Sequence, residues 1–314
     1  MAPGLPAEAC GSRGACGGAE AGAPCQAARL RHRKTAMRFP KPSDTREVMP
    51  MPGSPAILLI AYGSCNAKGL AALRRFEDDV RARYPGLPVR WAYTSPRIRT
   101  RLASQVRAKS DSVTKALKRL ILERFGPIAA QPLQVVPATE NSEVEQLAQA
   151  VAEETGQAIS VGQPLLSTDR DMEECLEAVL AGLPAGRLPS EHVVLMGHGA
   201  RHHAQERYDR LSALLAEREP RIHLATMSGK MTIREIMPKL ASHRVWLIPF
   251  LSTVGRHAEH DMAGSGPDSW KTLLEAAGHE CLPVVQGAIE NRALAAVWLR
   301  HLEEALARLG IRPA

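Results

Sequence analysis

Along the chain, short runs of consecutive apolar residues alternate with longer stretches in which apolar positions recur every three or four residues. Residues 56–62, Ala-Ile-Leu-Leu-Ile-Ala-Tyr, form the first run and end at Gly63-Ser64. Leu70, Leu73, Phe76 and Val80 follow at helical spacing. An apolar run bounded by turn residues and followed by an amphipathic helix predicts a parallel strand buried on both faces. The phrase returns at 192–196, which runs into Gly197-His198-Gly199 before a helix carrying Tyr208, Leu211, Leu214 and Leu215. Further strands are expected near 89–93, 132–136 and 158–161, and again near 222–226, 245–251 and 281–285. Helices are expected between them over 113–124, 143–154 and 171–180. The pattern predicts an α/β protein with two similar doubly wound domains, each with a small parallel sheet of about four strands, and a cleft between them. The expected domains span 54–185 and 186–290. A last helix within 291–314 carries a stripe of Leu294, Val297, Trp298, Leu302, Leu306 and Leu309, and is expected to pack across both.

Residues 1–53 break the pattern. Pro, Gly and Ala dominate there and no apolar period emerges, so the segment reads as a disordered extension or one added by a wrongly assigned start; Met37, Met49 and Met51 are alternative starts. This segment also changes the charge picture. The chain carries a formal net charge of +7, of which residues 1–50 supply +4. The remainder is too mildly basic for a nucleic-acid footprint. An aromatic content of 4% argues the same way against binding single strands by base stacking. Six cysteines, Cys10, Cys16, Cys25, Cys65, Cys175 and Cys281, include no close C-x-x-C pair. Free thiols, no apolar run of membrane length and no signal-peptide core predict a cytoplasmic protein with no membrane partner.

In open parallel sheets, ligands bind beyond the carboxyl ends of the strands. That rule selects Gly63-Ser64-Cys65, Thr94-Ser95-Pro96-Arg97, residues 137–143, Gly197-His198-Gly199, Met227-Ser228-Gly229 and residues 252–257. His198 leaves the first strand of the second domain and His257 follows its third. With a 2-1-3-4 strand order, these exits are neighbours, and two neutral imidazoles on one cleft suit a borderline divalent metal such as Co2+, Fe2+, Ni2+ or Zn2+. His202, His203 and His260 lie just beyond and read as solvated or supporting residues. Gly197, Gly199 and Gly63 permit close backbone approach to a flat ligand; no G-x-G-x-x-G, P-loop lysine or G-x-S-x-G is present. Arg97, Arg99 and Arg101 alternate after Thr94-Ser95, and Arg201, Arg207 and Arg256 lie near the histidines. Bidentate pairing with carboxylates is the use such arginines suggest.

These residues together resemble the anaerobic cobaltochelatases of the CbiK type, relatives of ferrochelatase. Met196-Gly197-His198-Gly199-Ala200 with His202-His203, Gly255-Arg256-His257-Ala258 with Asp261-Met262-Ala263, and Asp268-Ser269-Trp270-Lys271 carry the likeness. Thr94-Ser95 with Ile98-Arg99, and Pro164-Leu165-Leu166-Ser167, extend it, so that it covers about 56 to 309. The resemblance implies a bilobal fold holding a tetrapyrrole, metal bound by His198 and His257, and a first-lobe carboxylate, best matched by Glu143 with Glu140 as the alternative. His198, His257 and Glu143 are thereby the expected catalytic residues. Where the family usually places a metal-binding Glu after the second strand of the second domain, the match falls on Met227, and Gln134 stands where a His is usual. Ser64, Thr94, Ser95, Arg97, Arg99, Gly197, Gly199 and Arg256 are the expected substrate contacts.

The function implied is insertion of a divalent metal, Co2+ first and Fe2+ or Ni2+ next, into sirohydrochlorin, as in cobalamin or siroheme biosynthesis. No organic cofactor is expected, and a homo-oligomer is left open. Two other readings remain: a ferrochelatase acting on another porphyrin, and a non-catalytic tetrapyrrole or metal carrier, which Met227 favours. A two-lobed periplasmic-type receptor is a third, against which the lack of a signal peptide counts.

Overall fold

The computed structural model describes residues 53–106, 110–201 and 203–312, so the expected extension, apart from Gly53, and His202 lie outside the described residues. The four strands β1 (Ser54–Ala61), β2 (Val89–Tyr93), β3 (Phe125–Pro132) and β4 (Ile159–Val161) form one sheet in the order β2-β1-β3-β4. A second sheet repeats the order as β6-β5-β7-β8, from β5 (His192–Gly197), β6 (Ile222–Thr226), β7 (Arg244–Phe250) and β8 (Glu280–Pro283). Every pairing is parallel. The α/β class, the strand order and the repetition agree with the sequence pattern.

The connecting helices are α1 (Ala67–Arg83), α2 (Pro96–Arg101), α3 (Val113–Leu122), α4 (Thr139–Thr155), α5 (Asp169–Ala181), α6 (His203–Arg218), α7 (Ile233–Ile236), α8 (Trp270–Ala276) and α9 (Arg292–Arg308). Their starts follow from short polar side chains that accept hydrogen bonds from otherwise unpaired backbone N–H groups. Asn66 does this for α1, Ser95 for α2, Ser112 for α3, Thr168 for α5, Ser269 for α8 and Asn291 for α9.

Strand alternation divides the apolar side chains into three cores. Ile57, Leu59 and Ala61 of β1 face one way, and Val193 and Leu195 of β5 join them in a single shared core with α1, α5, α6 and α9. The alternate residues Ala56, Leu58 and Ile60 pack under α3 and α4. Val194 and Met196 pack under α7 and α8. Each sheet is thus buried on both faces, which is why β1 and β5 read as continuous apolar runs.

One strand departs from expectation. The third strand of the first sheet lies at Phe125–Pro132 rather than 132–136. Its sequence, with Gly126, Pro127 and Gln131, reads as a turn. The Pro is tolerated because the pairing with β1 shifts register there, Ser54 opposing Phe125 but Ala56 opposing Ile128. The more strand-like 133–136 segment leaves the sheet and accepts hydrogen bonds from the loop after β4, Leu165 N donating to Gln134 O and Leu166 N to Val135 O.

Helix α9 crosses the first sheet's edge and binds it through side chains. Trp298, fully buried, donates its indole N–H to Gln134 O at 3.2 Å. His301 bonds Gln163 O and the Asp171 carboxylate, both at 2.9 Å. Arg300 pairs with Asp171 and Glu174. Burial alone would raise the Asp171 carboxyl, but hydrogen bonds from His301 and Arg300 hold it well below the usual carboxylate range. Further contacts join the two halves: Arg75 pairs with Glu290 at 2.7 Å and Arg218 with Glu177 at 2.7 Å.

Candidate functional site

The carboxyl end of β5 delivers His198 and the loop after β7 delivers His257. Because β5 and β7 are paired neighbours, with Gly197 opposite Phe250, these exits adjoin. The two imidazoles meet edge to face, with ring centroids 5.3 Å apart and planes at 82°. His198 is exposed and its Nδ1 lies 3.2 Å from Gly199 O. His257 opens a π-helical turn, His257–Met262, in which the Asp261 carboxylate takes a hydrogen bond from its Nδ1 at 2.6 Å. Wide turns of this type interrupt α-helices most often at functional sites.

The flanking glycines are required by the chain itself. A Cβ on Gly197 would lie 2.9 Å from the Tyr208 ring. One on Gly199, whose φ is +84°, would lie 2.4 Å from Ser228 O. The tight packing of the His198 loop against α6 and the β6 exit therefore sets its position, where the sequence suggested only room for a ligand.

The expected third ligand, Met227, follows the end of β6, where its N–H donates to Gly197 O at 3.0 Å. Its side chain packs against the outer core with Val194 and Met196. Alternation past the end of β6 turns its neighbour to the opposite side: Ser228 is exposed and its hydroxyl lies 3.5 Å from His198 O. Among the described residues, no three side chains of the His, Cys, Asp and Glu types converge as a ligand set.

In the first half, most expected contact residues are engaged internally. Ser64, buried, donates to Val254 O at 2.9 Å and accepts from Asn66 N at 3.1 Å, tying the β1 exit to the β7 exit. Asn66 also donates to Glu259 in the π-helical turn. Ser95 accepts from Ile98 N at 3.3 Å as the cap of α2. Arg99 donates to the carbonyls of Tyr93 and Thr94 at 2.7 and 2.9 Å. Thr94 donates to Glu140 in the first turn of α4, which brings that carboxylate to the β2 exit, whereas Glu143 is exposed one turn further on. Arg97 and Arg256 are exposed. Gln134 keeps both amide atoms buried without a partner among the described residues, a state that a ligand or water would relieve. His203 faces Glu206 and is exposed, as is His260.

Sequence reasoning gave no role to Asp261, Ser228, Asn66 or Glu259. Asp261 had a signal, since a residue four beyond His257 shares its face of a helix. The others depend on loop geometry that carries no periodic signature.

Comparison with known proteins agrees with this architecture. The family model of cobalt chelatase (CbiK) matches residues 55–307. The sirohydrochlorin cobaltochelatase CbiKC of Nitratidesulfovibrio vulgaris is 46% identical over 257 residues, covering 81% of this chain and 91% of that protein. The sirohydrochlorin cobaltochelatase of Salmonella typhimurium is 28% identical, covering 80% of this chain and 96% of that one. Among solved structures, SirB from Bacillus subtilis with Fe3+ shares the fold with a TM-score of 0.58 at 17% identity, covering 83% of this chain and 99% of that one. The chain belongs to the cobalt chelatase (CbiK) family.

Proposed function

We propose that this protein inserts Co2+ into sirohydrochlorin, with Fe2+ and Ni2+ as alternative metal substrates. The observation that carries the reading is the perpendicular contact of His198 and His257 at adjoining strand exits. The reaction takes up one M2+ and releases two pyrrole N–H protons, so charge balances. Two imidazoles are suitable donors for a borderline divalent ion and bind it without neutralising it, which favours transfer to the dianionic ring nitrogens. Glu140, held by Thr94 at the β2 exit, is the first-half carboxylate best placed to accept a pyrrole proton. Glu143, the better match by sequence, is exposed and is the second choice. Arg97 and Arg256, both exposed, would pair with the carboxylates on the ring's rim. Ser64, Ser95 and Arg99 shape this wall from behind, and Gly197 and Gly199 set the His198 loop. In this reading the two sheets belong to domains 54–185 and 186–290, with the last helix joining them. A cytoplasmic location accords with the free thiols of Cys65, Cys175 and Cys281.

The test is an anaerobic metallation assay with sirohydrochlorin and each metal in turn. Enzyme-dependent loss of the metal-free spectrum, fastest with Co2+ and lost in His198→Ala, is the expected result. One observation favours a second reading as a carrier: the position where the family usually places a metal-binding Glu holds Met227, whose thioether carries no charge. Ring binding without acceleration by any metal would decide for the carrier.

A further inference from the structure

The two histidines share a feature beyond their mutual contact. Each has its Nδ1 turned to a group that can only accept a hydrogen bond. For His198 the acceptor is the adjacent carbonyl of Gly199, at 3.2 Å. For His257 it is the Asp261 carboxylate, at 2.6 Å. A neutral imidazole carries a proton on one nitrogen and a lone pair on the other. With Nδ1 donating in both rings, the lone pair sits on Nε2 in both. The two rings, 5.3 Å apart between centroids, then carry their lone pairs on the same nitrogen, and the tautomer of each is set before any metal arrives.

The two anchors differ in strength. The bond to Gly199 is long and local. The bond to Asp261 is short and charge-assisted, of the kind that is roughly twice as strong as a neutral one. It also spans one turn of the π-helical segment, so the conformation that carries His257 is the one that brings the carboxylate under it. We propose that Asp261 is the positioning residue of the metal-binding pair: it holds the Nδ1 proton of His257 and thereby fixes both the ring orientation and the Nε2 lone pair that receives the ion. Asp261 acts through His257 and touches neither metal nor ring. This rests on the reading of the histidine pair given above.

The prediction is separable from that reading. Titrating the full chain anaerobically with Co2+ alone, and following the visible absorption of bound cobalt, gives a dissociation constant that does not depend on turnover. Partners that orient a metal-ligating histidine are worth about 10–100-fold in affinity. Asp261→Ala should therefore raise the dissociation constant by about that factor. Asp261→Asn, whose amide oxygen still accepts the Nδ1 proton, should fall between Ala and wild type. In steady-state metallation, KM for Co2+ should rise in Asp261→Ala while KM for the tetrapyrrole stays unchanged, a split that a general loss of structure would not produce. Wild-type Co2+ affinity in Asp261→Ala, with affinity lost in His257→Ala, would overturn the role of Asp261 and leave the histidine site standing. Wild-type affinity in His257→Ala would overturn the site itself, and the role of Asp261 with it.

Discussion

The two halves of this protein repeat one strand order and use it differently. At the carboxyl end of the second sheet, the Nε2 atoms of His198 and His257 have no partner among the described residues. At the same end of the first sheet, Ser64, Ser95 and Arg99 have their polar groups engaged by the protein's own backbone. The corresponding loops thus differ: in one set the histidines keep ring nitrogens without a partner among the described residues, and in the other the polar groups are spent within the chain. Polar residues at a strand exit are evidence of a site only when their hydrogen-bonding capacity is left open.

Five measurements would sharpen or break that contrast. The largest effect is expected at the seam on which both halves depend. Trp298→Ala should destabilise the fold by about 3–5 kcal/mol, read from urea unfolding, because it empties a fully buried indole site. Next, His198→Ala should lower metallation at least ~100-fold, about 2.7 kcal/mol in transition-state terms, with unfolding little changed. Near-normal turnover there would remove the second half's distinction. Glu140→Gln should slow metallation about tenfold, or ~1.4 kcal/mol, while Glu143→Gln stays within about twofold. The reverse ranking would return the role to Glu143. Ser64→Ala should cost about 1 kcal/mol of stability and leave the tetrapyrrole KM unchanged. A raised KM at full stability would show that Ser64 touches substrate after all.

The smallest effect concerns the opposite end of the second sheet. His192 and His223 stack there, with Nδ1 of His192 2.8 Å from Nε2 of His223. Ala241 N donates to His192 Nε2, so His192 holds its proton on Nδ1 and donates it to His223. Burial, and then the neighbouring His192, push His223 down to about 4. The unfolded chain therefore binds the extra proton first as pH falls. Stability from this group is complete above pH ~6.5 and declines progressively toward pH ~4. Allowing for its partial exposure, the loss between pH 7 and pH 6 is on the order of 0.5 kcal/mol, measurable as a urea midpoint shift that His223→Leu would remove.

Much of the fold was legible because both sheets are covered on two faces. Complete burial writes β1 and β5 as unbroken apolar runs, and the helices between them as stripes. β3 was misplaced because Gly126, Pro127 and Gln131 mimic a turn, and only the register shift against β1 accommodates them. The histidine pair was legible from the strand order and the two glycine-flanked exits. The Thr94–Glu140 contact joins residues 46 positions apart and had no signature in the sequence.

The buried cluster between α5 and α9 bears on how the protein responds to ionic strength. Both nitrogens of His301 face oxygens, Gln163 O and the Asp171 carboxylate, and Arg300 pairs with the same Asp171 and with Glu174. The Asp171 carboxylate at the centre of this cluster is fully buried and lies largely beyond the reach of dissolved counter-ions, whereas the exposed Arg218–Glu177 bridge does not. Added salt should therefore weaken the rim between the halves and any attraction of a polycarboxylate ring to Arg97 and Arg256, while the joint at α9 keeps its strength.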